Sequence, residues 1–163
     1  MTPRIIAMEL ARLEAAHLSG LVTQFAELVE ATDTSSGDPA IDRLVPDAYA
    51  DHDAAREFRD LTEHDLLARR RDDAAIVLAT LRTAAVIPDD PDDPALMETV
   101  EIDLEPEAAH AWLRTLAAIR LVLATRLGIS APEDHIPDDP RFGIYDWLGY
   151  RLDGLVTAMD PDA

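Results

Sequence analysis

Two copies of one tetrapeptide carry the residue types with the most chemical potential, Glu14-Ala15-Ala16-His17 and Glu107-Ala108-Ala109-His110. A glutamate and a histidine three residues apart share one face of a helix, and a pair of such motifs facing each other inside a helical bundle can hold two metal ions. That chemistry would make the chain a di-iron-like enzyme with carboxylate and histidine ligands, Glu57 and Glu63 being the further carboxylates on offer. A structural reading outweighs it. Both repeats fall in a predicted first helical turn, where a glutamate complements the macrodipole without any metal. Glu57 and Glu63 lie on no apolar stripe. We therefore assign no catalytic residue, metal ligand or cofactor from the sequence.

Four other groups of residues bear on function. Arg69-Arg70-Arg71 is the one basic cluster, and Asp65, Asp72 and Asp73 stand close enough along a helix to pair with it, which points to a solvated face. Arg120 is flanked by leucines in an apolar run; an unpaired buried charge is costly, so we expect a structural ion pair, with Asp146 as partner and Asp60 or Glu57 as alternatives. Trp147 and Tyr150, near Gly143 and Gly154, suit core packing, a small-ligand pocket, or a partner or dimer face. His52, His64 and His135 sit beside aspartates with nothing converging on them, and no HExxH, EF-hand, GxSxG or glycine-rich phosphate loop occurs.

These residues must be placed by a mainly helical fold. Pro106 to Gly128 is the longest apolar helical run; Trp112, Leu116, Ile119 and Leu123 leave little of its circumference polar, so other helices must enclose it. Pro106 suits a first helical turn and Gly128 a left-handed C-cap. The spacing predicts further helices over about Leu13 to Ala31, Ala40 to Leu44, a stretch through Phe58 and Leu61, Thr62 to Ala84 and Phe142 to Met159. Thr62 and Asp65 form an apparent capping box, which would start a new helix there. Arg4 to Leu10 and Val100 to Leu104 alternate like strands, and each leads into a helix carrying one tetrapeptide. We expect the two to pair in a small two-stranded sheet with both helix starts at the same end. Pro88 to Pro94 and Ala131 to Pro140 read as acidic loops. The expectation is one domain, 1–163, a bundle of about five to six helices around a central buried one.

Composition narrows the partners. The 163 residues include 33 acidic and 14 basic side chains, a formal charge of −19 that repels nucleic acid and anionic lipid alike. Basic or apolar protein surfaces are better matched. All the basic residues are arginine, so lysine Schiff-base chemistry and a P-loop lysine are excluded, and the absence of cysteine excludes thiolate chemistry. No apolar run is long enough to span a membrane, and the N-terminus lacks a signal-peptide pattern, so a cytoplasmic location is expected.

The segments RLVPDAYADHDAAREFRDLTEHDLLARR, VEIDLEPEAAHAWLRTLAAIRLVLATRLGI and IYDWLGYRLDGLVTAM resemble, in order and spacing, an actinobacterial family of AosR-like oxidative-stress transcriptional regulators, formerly a domain of unknown function. The resemblance covers most of the chain; RLVLATRLG and YDWLGY are its most specific parts. It implies a cytoplasmic, mainly helical, non-enzymatic protein that regulates transcription by contact with a sigma factor or RNA polymerase. Its genes are commonly found near those for the Clp protease adaptor and sulfur metabolism. Redox sensing there is linked to a cysteine pair that this chain lacks. We expect a homodimer that does not bind DNA directly, and no functional residue carries across.

Overall fold

The structure is a computed structural model; it describes residues 3–31, 38–44 and 52–162, and of residues 52–64 the backbone alone. Among them are five α-helices and one two-stranded antiparallel sheet: β1 (Ile6–Ala11), α1 (Arg12–Ala31), α2 (Pro39–Leu44), α3 (His52–Leu81), β2 (Thr99–Leu104), α4 (Pro106–Leu127) and α5 (Gly143–Met159). The chain is mainly α, as its periodicity predicts.

Both strands show period-two burial. Ile6, Met8 and Leu10 of β1 turn inward beside Leu104, Ile102 and Val100 of β2, and Ile6 pairs with Leu104 at one end while Ala11 pairs with Thr99 at the other. This register corrects one expectation. Because the strands run antiparallel, α1 starts beside the beginning of β2, where Arg12 meets Glu98 (3.4 Å), and α4 starts beside the beginning of β1. The two helix starts lie at opposite ends of the sheet, roughly 17 Å apart for five residue steps.

α4 is the hub, packed against α3, α5 and α2, while α1 packs on α3. Trp112 is fully buried, and its indole N–H donates to Thr80 Oγ1 on α3 at 2.8 Å, so the largest core side chain is also hydrogen-bonded. Alongside, Arg114 grips Asp73 of α3 with two bonds of 2.9 Å. The buried side chains of α4 concentrate between Ala109 and Ile119, although His110, Arg114 and Ala117 in that span are exposed; from Arg120 to Leu123 the side chains are half-buried, so the helix is not enclosed on every side. Gly128 ends the helix at φ 77°, the left-handed cap its position predicts. α2 docks on this half: Asp38 caps α2 by accepting from Ala40 N and holds Arg126 of α4 bidentately (3.0 and 2.7 Å).

α3 differs from expectation in being one continuous helix. Its backbone is helical through Thr62, so no new helix begins there, and the capping-box pattern is incidental to a run that never stops. The Pro88 to Pro94 stretch contains no helix or strand until Pro94 opens a 3-10 turn capped by Asp93. The Ala131 to Pro140 loop is likewise structured by carboxylates: Asp134 accepts from Ser130 N, Ser130 Oγ and Ala131 N, and Asp138 takes a left-handed φ of 64° that aspartate tolerates better than most residues.

Candidate functional site

The two Glu-x-x-His repeats have different fates, and a one-residue slip explains why. Inward-facing Met8 and Leu10 stand 94 residues before inward-facing Ile102 and Leu104, and Arg12 and Pro106, which open their helices, are 94 apart as well; the tetrapeptides repeat at a step of 93. One residue is about 100° of helix, so the same four residues face the core differently. Ala15 and Ala109, 94 apart, are the buried pair, not Ala15 and Ala108. Glu107 is consequently exposed where Glu14 is half-buried; His17 and His110 are both exposed, and His110 Nδ1 lies 2.7 Å from Pro106 O within its own helix.

Glu14 turns toward α5. Its Oε2 accepts from Trp147 Nε1 (2.8 Å) and Arg151 Nη2 (2.7 Å), and its Oε1 accepts from Ala11 N (3.4 Å). Arg151 also donates to Glu9 O (3.2 Å) and lies near the faces of Trp147 and Tyr150. Partial burial pushes the Glu14 carboxyl upward, but the hydrogen bonds from Arg151, Trp147 and Ala11 and the Arg151 charge outweigh it. Its pKa therefore lies below the ordinary glutamate value. A carboxylate so engaged is a structural anchor. The antiparallel register holds it far from Glu107 and His110, and no cluster of three metal-ligating side chains occurs among the described residues. The side chains of Glu57, Glu63, Asp60, His52 and His64 lie outside those described.

Around the Glu14 bridge are two grooves. One, of about 600 Å³, runs between α1 and the start of α5 past His17, Leu21, Ile144 and Trp147. The other, of about 870 Å³, follows β1 beside Met97, Tyr150 and Gly154. Trp147 is half-buried, whereas Tyr150 is 70 % and Met97 69 % exposed, with Ile144 and Val156 also open to solvent. Large apolar side chains bordering clefts on an anionic surface are the ingredients of a protein-contact face.

Arg120 and Asp146 do not meet as the sequence suggests. The guanidinium of Arg120 lies 3.9 Å from the Tyr145 ring centroid and donates through Nε to Tyr145 O (3.4 Å), whereas Asp146 is taken by His135 Nε2 at 2.7 Å. Aromatic stacking and a backbone carbonyl thus replace the expected carboxylate. Asp73 likewise serves Arg114 across the helix interface. Among the described residues no ion pair joins Arg69, Arg70 or Arg71 to Asp65 or Asp72.

A family model described as a domain of unknown function, DUF2017, matches residues 1–159. The chain belongs to the DUF2017 family. No curated protein and no solved structure matches it. In this DUF2017 chain, Arg151, Thr80 and Gly149 are the structurally telling residues that the sequence reading passed over. Arg151 had a signal, since it follows Trp147 by four residues and so shares its helix face.

Proposed function

We propose that this DUF2017 protein is a non-enzymatic regulator of transcription that works by contact with a sigma factor or RNA polymerase, in keeping with its resemblance to AosR-like oxidative-stress regulators. The observation that carries the reading is the solvent-exposed apolar set Ile144, Tyr150 and Met97 bordering two grooves on a chain of net charge −19. Apolar anchors would supply the affinity, and the anionic field would steer the encounter with a basic partner surface. A homodimer through the same face is the alternative use of Trp147 and Tyr150.

Affinity capture from the native host at low ionic strength tests the proposal. The tagged protein should recover a polymerase or sigma subunit, less of it as salt is raised, and little with Tyr150→Ala or Ile144→Ala. Recovery of no transcription component would overturn it. The rival carboxylate-metal enzyme has no such support, because its four ligands are split between opposite ends of the sheet.

A further inference from the structure

A cavity of about 610 Å³ opens between α2, the C-terminal half of α4, the loop after it and α5. That volume lies within the roughly 300–1,000 Å³ of small-molecule sites. Its walls are apolar where Leu121, Ile129 and Leu152 line them, and cationic where Arg43 and Arg120 do.

These two arginines are the cations of the cavity wall, and neither is neutralised there. Arg12, Arg114, Arg126, Arg141 and Arg151 each hold a carboxylate. Arg43 and Arg120 hold neutral oxygens instead: Arg43 Nη1 donates to Thr125 Oγ1 (3.0 Å) and Ile129 O (3.4 Å), and Arg120 Nε donates to Tyr145 O (3.4 Å). Neither has a carboxylate partner among the described residues, although acidic side chains outnumber basic ones 33 to 14. The acid in the cavity wall, Asp146, is engaged by His135. Arg120 is also held in place on two sides. The Tyr145 ring stacks on one, and on the other a Cβ at Gly149 would stand 3.1 Å from both Nε and Nη2, so only glycine leaves the guanidinium its slot without displacement. Fixed guanidinium groups with spare N–H donors beside an apolar wall suit an anionic head on an apolar body.

We propose that this cavity binds a small amphiphilic anion, a carboxylate with an apolar chain, its head on Arg43 and Arg120 and its body along Leu121, Ile129 and Leu152. The site is independent of the contact face on α5 and β1, and its test does not involve a protein partner.

Isothermal titration calorimetry with octanoate, octyl phosphate, inorganic phosphate and 1-octanol is the experiment. Octanoate should bind one site with a Kd below about 1 mM, and Arg43→Gln or Arg120→Gln should weaken it about tenfold or more. Gly149→Ala, which disturbs only the Arg120 slot, should weaken it as well. Octyl phosphate bound with the same dependence on both arginines supports the site with a phosphate head. Inorganic phosphate bound as tightly as octanoate, 1-octanol bound equally well, no binding of either amphiphile, or unchanged affinity in both glutamine variants would each overturn the proposal. If a variant does not fold, amide shifts in the wild-type protein decide. Octanoate should perturb residues 121–129 and 145–152, and shifts elsewhere alone refute the site.

Discussion

Trp147 donates its indole N–H to Glu14 at 2.8 Å, tying the first turn of α1 to a helix 133 residues later in the chain. Removing the carboxylate strands that N–H and leaves the Arg151 guanidinium only its bond to Glu9 O. Glu14→Ala should therefore cost about 1–3 kcal/mol, lowering the melting temperature by several degrees for a domain of this size. Thermal melts by circular dichroism check this; a melting point equal to wild type would show that the bridge contributes nothing.

The same carboxylate sets a pH dependence. Its folded pKa is depressed, so its stabilising share is present in full above the ordinary value of 4.5 and is lost as pH falls through the lower folded value. Asp38, depressed by Arg126 and the Ala40 N–H, acts in the same direction from its ordinary 3.8. Glu14→Gln should make the acid loss of stability shallower than in the wild type, measured by denaturant unfolding at a series of pH values between neutrality and about pH 3.

Trp112→Phe keeps most of the buried ring area but removes the donor to Thr80, and should cost about 1–3 kcal/mol. Trp112→Ala also leaves a cavity at the hub of the bundle and should cost about 3–5 kcal/mol. Equal losses in the two variants would mean that the hydrogen bond, not the packing, holds α3 to α4.

At Gly128 an added Cβ meets nothing within 4 Å, so Gly128→Ala isolates the conformational cost of φ 77°. The expected loss is about 1–2 kcal/mol, read from equilibrium unfolding.

Metal should be dispensable. With Glu14 committed to Arg151 and His110 at the far end of the sheet, elemental analysis after incubation with iron or manganese should find no stoichiometric ion, and a chelator should leave the melting temperature unchanged. Stoichiometric metal lost on His110→Ala would reverse this view.

Helix identity and most boundaries were legible because they depend on local physics: apolar periodicity for α1, α4 and α5, a proline start and a glycine stop for α4, alternation for β2. What escaped was relational. Thr62 offers good capping chemistry, yet nothing in a local pattern says that the preceding turn will run on through it. Two strands with the same alternation can pair in either direction, and the direction alone decides whether Glu14 and Glu107 meet. The partner of Arg120 was sought among acids because a charge beside leucines invites one, whereas a ring four residues before a glycine on α5 provided the slot instead. Tyr150 stays 70 % exposed although it borders the groove along β1, which no periodicity encodes.

The slip between the tetrapeptides shows how a strand-to-helix junction can act as a rotary dial. Glu14 stands four positions after Leu10, the last inward-facing residue of β1, whereas Glu107 stands three after Leu104, the last inward-facing residue of β2. Each residue gained or lost at such a joint turns everything downstream by about 100° relative to the sheet. A carboxylate can thus be moved from solvent to a half-buried anchor without a single substitution in the helix that bears it.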